Sequence, residues 1–244
     1  MIITIDGPTG VGKSSVSKRL SKKLGILYLE SGALYRALAY KSEGILSNAR
    51  LKIPSLEQSE RPPRITESFI KKMLQNTKIH VQGQKGKISV ILDGTCVDAY
   101  LRDEKIGNRA SEISQMKCVR EFLLHVQRDC AKENDLIAEG RDMGTVVFPE
   151  AQYKFYLEAK PQIRVQRRFL ELEKKRHRVN LDKIKKNLHE RDKKDTEREI
   201  SPLKVPEGAH LIDTSGLSLD EVVQKIVDAI NKKRNMDPSA ALSG

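Results

Sequence analysis

Tryptophan is absent from this chain and aromatic residues make up only 5% of it, so burial has to come from aliphatic Ile, Leu and Val. Cysteine is scarce too. Cys96, Cys118 and Cys130 lie far apart, with no Cys-x-x-Cys pair and no histidine at ligand spacing. That argues against a disulfide framework and against a zinc site, and the three read as ordinary small apolar residues. No run approaches the roughly 18 consecutive apolar residues of a membrane span. No basic leader stands between Met1 and Ile2-Ile3-Thr4-Ile5, so the expected address is the cytoplasm, with no membrane partner.

What the chain has in quantity is charge. Charged residues are 32% of it, and 45 Lys+Arg against 33 Asp+Glu give a formal charge of +12. A positive excess of that size attracts polyanions of any kind, from nucleotides to RNA, and cannot choose among them. Much of it falls in lysine-rich stretches at residues 18–23, 71–87 and 183–194, which read as solvated helix faces. RNA-binding signatures with interleaved aromatics are missing, so no nucleic-acid partner is expected.

A chain of 244 residues suits one α/β domain with small excursions. Short apolar runs at residues 2–5, 26–29, 136–138, 153–157 and 210–212 each read as a buried parallel strand. Helical patterns at 14–24, 32–41, 116–132 and 219–233 alternate with them, which predicts right-handed crossovers and a sheet flanked by helices. Residues 65–97 break the rhythm: a helical segment at 67–74 precedes two alternating runs, 78–81 and 88–92, separated by Gly83, Lys85 and Gly86. This predicts a hairpin-bearing insert, entered through 55–63 with Pro54, Pro62 and Pro63 around it. The basic helical stretch 164–191, interrupted near 178–180, has too few apolar residues for a core and reads as a mobile lid. The expected organisation is one domain over 1–235, with core at 1–60, 100–160 and 200–235, insert at about 61–99, lid at about 161–195, and a disordered tail at 236–244.

Gly7-Pro8-Thr9-Gly10-Val11-Gly12-Lys13-Ser14 matches the G-x-x-x-x-G-K-[ST] phosphate loop and lies between an expected strand and an expected helix. Glycines let successive backbone N–H groups turn toward one anion, and the start of the helix adds partial positive charge there. Lys13 then reaches the β- and γ-phosphates of ATP while the Ser14 hydroxyl ligates Mg²⁺. The expected fold is therefore P-loop NTP hydrolase-like, with a five-stranded parallel sheet. A GTPase is disfavoured, since Asn231-Lys232 is followed by Lys233 and Arg234 and the guanine-reading Asn-Lys-x-Asp motif is missing. A motor ATPase would carry more sequence and further nucleotide motifs.

A kinase also needs groups that neutralise the accepting phosphate, and arginine's planar fork suits that task. Arg36 follows the second expected strand, Arg141 follows the third, and Arg191 and Arg198 frame a charged run containing Asp195. Ligands of open parallel sheets gather at the carboxyl ends of strands, so Arg36 and Arg141 are expected to face the crevice of the phosphate loop. At these motifs the chain resembles bacterial cytidylate kinases. The resemblance is carried by Ile5-Asp6-Gly7-Pro8, by Ser31-Gly32-Ala33-Leu34-Tyr35-Arg36, by Gly140-Arg141-Asp142-Met143-Gly144-Thr145-Val146-Val147-Phe148-Pro149 and by Glu190-Arg191-Asp192 with Asp195 and Arg198. It runs from Ile2 to about Lys232. Departures are Glu30 and Glu139 where many relatives have Asp, and Ser15 where Thr is frequent.

The resemblance implies an ATP-dependent kinase acting on CMP or dCMP, with Mg²⁺ accompanying ATP, as a monomer. It implies that Ser111, Arg120 and Asp142 read the cytosine, and that Arg36, Arg141 and Arg198 hold the CMP phosphate. Arg191 and Asp195 engage the ribose and its surroundings, and Ser31 belongs to the same CMP site. On the ATP side it implies Gly7 to Ser14 with Ser15, joined by lid arginines among Arg164, Arg167 and Arg168, of which Arg164 and Arg168 are the expected contacts. Lys13, Arg141 and Arg191 are the expected catalytic residues. Alternatives of the same class are kinases for UMP or shikimate. From another class, an ATP-regulated RNA-binding protein has only the +12 charge behind it.

Overall fold

The computed structural model describes residues 1–52, 65–84, 87–174 and 180–236. Along the chain the elements are β1 (Ile2–Asp6), α1 (Lys13–Leu24), β2 (Leu27–Glu30), α2 (Ser31–Lys52), α3 (Glu67–Gln75), β3 (Ile79–Gln84), β4 (Lys87–Leu92), β5 (Thr95–Cys96), α4 (Glu104–Ile113), α5 (Lys117–Asp129), β6 (Leu136–Glu139), β7 (Tyr153–Glu158), α6 (Pro161–Lys174), α7 (Leu181–Glu197), β8 (His210–Asp213) and α8 (Leu219–Met236). They divide into two compact units, one made of Met1–Leu29 with the chain from Asn134 onward, the other of Glu30–Glu133.

The first unit is built on a five-stranded sheet in the order β2-β6-β1-β7-β8. β1 pairs in parallel with β6 and β7, and β7 with β8. β1 therefore sits at the centre and is shielded on both edges, which is why its sequence is a near-continuous apolar run. Its pleat sends Ile3 and Ile5 into a core shared with Val16 and Leu20 of α1, Phe155 and Leu157 of β7, and Val222, Val223, Ile226 and Ile230 of α8. Alternation sends Thr4 and Asp6 to the opposite face, where they are also fully buried. α1 starts after Gly12 in a left-handed conformation and stops at Gly25, whose φ of 70° lets its N–H return to the Ser21 carbonyl at 2.9 Å.

The second unit carries a three-stranded antiparallel sheet, β3-β4-β5, with α3 and α5 packed together and α2 against α4. The hairpin expected over 78–92 is β3 and β4, with one further short strand, β5. The entrance to the insert at 55–63 lies outside the described residues, as do Lys85 and Gly86, most of the interruption at 178–180, and 237–244 of the expected tail.

Several element limits depart from the sequence reading. α2 continues to Lys52 instead of stopping near Lys41, because a single helical glycine such as Gly44 costs only about 1 kcal/mol. The segment 116–132 is a shorter helix, α5, preceded by the unanticipated α4. Asp103 caps α4 by accepting from the Lys105 amide at 2.7 Å, and Ile106, Ala110 and Ile113 supply its buried stripe. β8 is not buried. As the edge strand it leaves Leu211 58% exposed, and only Ile212 faces the core. Of the cysteines, Cys130 is buried while Cys96 is exposed on β5, so the apolar reading holds for the former only. α8 runs through Met236, one residue into the segment read as a tail.

Phe155 is fully buried at the centre of the first unit's core. Phe155→Ala is expected to lower unfolding stability by roughly 3–5 kcal/mol, read from urea denaturation. A loss below about 1 kcal/mol would show that this core is not the one that holds the sheet.

Candidate active site

The turn from β1 to α1 needs glycine at specific places. Gly7, Gly10 and Gly12 have φ of 145°, 83° and 98°, the region L side chains avoid. At Gly7 a Cβ would lie 2.1 Å from the carbonyl oxygen of Leu157 on β7, so no side chain fits there. Gly12 occupies the N-cap of α1 and supplies no side-chain cap. The first amides of α1 are thus aimed out of the turn, where an anion is favoured.

Lys13 opens the helix and is buried. Its Nζ donates to the carbonyls of Gly7 at 2.8 Å and Pro8 at 2.7 Å. Burial, reinforced by the Arg141 charge, pulls its pKa well below the usual lysine value, against the opposing pull of Glu139, Asp195 and Asp6. The next residue, Ser14, donates its hydroxyl to Glu139 Oε1 at 2.6 Å, a contact made because β6 lies beside β1 and ends at Glu139.

The strand end that delivers Glu139 also delivers Arg141 and Asp142. Arg141 Nε donates to Asp195 Oδ2 at 2.7 Å, and its other nitrogens donate to Thr9 Oγ1 at 3.0 Å and to the Gly140 carbonyl at 3.2 Å. Burial disfavours the Arg141 charge, but Asp195 and Glu139 outweigh it and hold the guanidinium above its ordinary pKa. For Asp195, burial acts upward, yet Arg141, Arg198 and Arg191 together hold the carboxyl below the usual range. Arg198 donates through Nε to the Ser201 carbonyl at 2.6 Å and stands 3.5 Å from Asp142 Oδ1 and 3.9 Å from Asp195 Oδ1. Arg141, Asp142, Asp195 and Arg198 are thereby brought together at the phosphate loop, with Arg191 contributing to the field on Asp195.

The helices α6 and α7 meet the loop at Thr9. Asp192 of α7 accepts from the Thr9 amide at 3.0 Å and pairs with Arg164 of α6, which donates to the Thr9 carbonyl at 3.0 Å. Arg167 lies behind the loop, donating to the Val11 carbonyl at 3.3 Å and to the hydroxyl and carbonyl of Thr214 at 2.9 and 2.6 Å. Arg168 turns away to Glu171 at 2.7 Å. Ser15 is exposed on α1.

In the second unit, Ser31 begins α2 and is buried. Arg36, one turn on, donates to Glu30 Oε1 at 2.7 Å, while Arg102 stands 3.4 Å from the other Glu30 oxygen. Arg120 is buried on α5, with its guanidinium 5.6 Å from the Tyr35 ring centroid and donating to the Ser114 carbonyl at 3.1 Å. Ser111 lies one turn before Ser114, and its carbonyl accepts from the Ser114 hydroxyl at 3.1 Å.

A family model described as cytidylate kinase matches residues 3–232. The chain belongs to the cytidylate kinase family. It is 42% identical to the cytidylate kinase of Thermodesulfovibrio yellowstonii over 94% of this chain and 97% of that one. It is 40% identical to the cytidylate kinase of Caldanaerobacter subterraneus subsp. tengcongensis over 94% of each, and 37% identical to cytidylate kinase 1 of Haemophilus influenzae over 95% of this chain and 94% of that one. Among the described residues no helix is long and apolar enough to cross a membrane.

Around this cytidylate kinase-family loop, sequence reasoning did not single out Asp6, Asp192 or Thr214. Asp6 accepts from the amides of Met143 at 2.9 Å and Gly144 at 2.7 Å. Asp6 and Asp192 were legible only within the Ile5-Asp6-Gly7-Pro8 and Glu190-Arg191-Asp192 motifs, and Thr214, two residues past the expected strand at 210–212, not at all.

Burial raises the Asp6 pKa from 3.8 to about 6, against the two backbone hydrogen bonds that lower it. A folded pKa above the unfolded one stabilises the fold fully below the unfolded value, and that contribution is lost as pH rises through about 6. Relative to Asp6→Asn, the parent protein should therefore lose up to about 3 kcal/mol between pH 4 and 7.5 in urea unfolding. A flat difference across that window would mean that burial does not control this carboxyl.

Proposed function

We propose that the protein transfers the γ-phosphate of ATP to CMP or dCMP, giving ADP and CDP or dCDP. The observation that carries this reading is the family match across residues 3–232, and the cluster of Arg141, Asp142, Asp195 and Arg198 beside the Lys13 loop supports it. In this reading the loop amides of residues 7–14, with Ser15, take the ATP phosphates, and Lys13 exchanges its two carbonyl acceptors for phosphate oxygens. A charged phosphate is the stronger acceptor. Arg164, and Arg168 once it exchanges Glu171 for a phosphate oxygen, come from the lid, residues about 161–195, to the same phosphates. Arg36, Arg141 and Arg198 hold the CMP phosphate with Ser31 beside them, while Arg191 and Asp195 engage the ribose.

Cytosine presents one exocyclic amino donor and two acceptors. The Asp142 carboxylate accepts from the amino group, and Arg120, with Ser111, supplies donors for N3 and O2. Uracil would set a carbonyl against Asp142, leaving two acceptors face to face. The attacking oxygen belongs to a phosphate already ionised near neutral pH, so no general base is needed: its bond to the γ-phosphorus forms as the bond to ADP breaks. Positioning and charge neutralisation by Lys13, Arg141 and Arg191 carry the acceleration.

The Ser14 hydroxyl and the Glu139 carboxylate, 2.6 Å apart, are hard oxygen donors of the kind Mg²⁺ takes alongside water and phosphate oxygens. When bound with ATP, Mg²⁺ would supply charge neutralisation of the β- and γ-phosphates. We further propose that the protein works as a cytoplasmic monomer.

Coupled ADP release with CMP, dCMP, UMP, AMP and shikimate as acceptors tests the assignment. Cytidine nucleotides are expected to be preferred, and preference for any other acceptor overturns it. Lys13→Ala is expected to abolish transfer, and Arg141→Ala to lower kcat/KM for CMP by about 100- to 1000-fold. Unchanged turnover in either variant removes that residue from the scheme.

A further inference from the structure

We propose that Asp6 is the positioning residue for cytidine selectivity: its buried carboxylate fixes the segment that presents Arg141 and Asp142, and does so from the strand that begins the phosphate loop. This rests on the CMP kinase reading above and assigns a residue to a task within it.

Asp6 is the last residue of β1, directly before Gly7, and is fully buried. Both of its oxygens are used, Oδ1 accepting from the Met143 amide at 2.9 Å and Oδ2 from the Gly144 amide at 2.7 Å. Those are the two amides immediately following Asp142. The chain there makes a five-residue π-helical turn, Met143–Val147, in which the Asp142 carbonyl accepts from both Val146 at 3.0 Å and Val147 at 3.1 Å. π turns are rare, occur as single turns and are frequent at functional sites. Here the carboxylate grips its first two amides from one side. From the other, Gly144 is held so close to Thr4 Oγ1 and Pro206 that a Cβ would lie 2.8 Å from each.

The remaining charged and titratable groups around Asp6 are consistent with a geometric role. Asp142 raises its pKa and Lys13 lowers it, both as smaller effects than burial, and the Tyr156 phenol on β7 feels the Asp6 charge. Both carboxylate oxygens hold backbone amides of this segment, and the side chain is fully buried. Asp6 therefore acts through the Arg141-Asp142 segment and is not itself a catalytic residue. An amide cannot replace it: asparagine has one acceptor oxygen, and its NH₂ would meet the second backbone N–H donor to donor.

The test is steady-state kinetics on Asp6→Asn with CMP, UMP and ATP varied separately, alongside circular dichroism to establish folding. The expected result is a KM for CMP raised about tenfold or more, a CMP-over-UMP preference reduced by a similar factor, and a KM for ATP within about twofold of the parent. Equal losses toward CMP and ATP, or an unchanged CMP-over-UMP ratio, would overturn the proposal. If Asp6→Asn does not fold, Gly144→Ala, which pushes the same segment from its other side, is read in the same way against the same outcomes. A parent protein inactive on CMP defeats the functional reading itself, whereas an active parent with an unselective Asp6→Asn phenotype defeats only this assignment.

Discussion

The constraint on which the first unit depends is the burial of Lys13 beside a second, partly buried cation, Arg141. A positive group held out of water beside another costs several kcal/mol unless acceptors surround it. The fold brings Glu139, Asp6 and Asp195 into that field, and each arrives by a different route: β6 beside β1, the end of β1 itself, and α7. The parallel order β6-β1-β7 is thus as much an electrostatic arrangement as an apolar one. The glycines follow from the same requirement, because only a backbone at φ of 145°, 83° and 98° turns the Gly7 and Pro8 carbonyls toward the ammonium while leaving the α1 amides facing outward.

Thr9 shows how the rest of the unit is fastened to this turn. Its hydroxyl accepts from Arg141, its amide donates to Asp192, and its carbonyl accepts from Arg164. One residue of the loop therefore reports on the segment after β6, on α6 and on α7 together. The Arg164 and Asp192 side chains are 12% and 19% exposed, so solvent and solutes reach this pair more easily than they reach Lys13. The carboxylate acceptor here is, like a phosphate oxygen, a charged partner that suits guanidinium. Exchange of acceptors, with no change in which donors are present, is then a low-cost event for these helices.

How far the sequence could be read followed from whether the signal was local. The phosphate loop was legible because its requirement is for consecutive residues: positive φ at fixed glycines, then lysine at the first helical position. The β1 and β6 strands were legible because parallel central strands are largely apolar, and β7 because Tyr153, Phe155 and Leu157 supply a buried face at alternate positions. α4 went unread although its own signals were present, with Asp103 at the cap and Ile106, Ala110 and Ile113 at helical spacing, because its short apolar stripe is diluted by Gly107, Asn108 and Arg109. β8 was misjudged as buried because edge position is a property of the sheet order, which no single strand encodes.

The arginines mark the boundary of such reading most clearly. Arg164, Arg167 and Arg168 are one chemical type within a single turn and a half of α6, and composition cannot rank them. Helix spacing leaves Arg167 and Arg168 both near the face of Arg164, and the contacts separate them: Arg164 and Arg167 donate to loop carbonyls, while Arg168 pairs with Glu171 on its own helix. The same holds for Asp6, which the sequence showed only within the Ile5-Asp6-Gly7-Pro8 motif. Its two amide partners lie 137 and 138 residues away, at the start of a π turn that has no sequence signature of its own. What long-range contacts decide here is the orientation of groups whose presence the motifs already announce, and orientation is what distinguishes a site that holds cytidine from one that merely holds an anion.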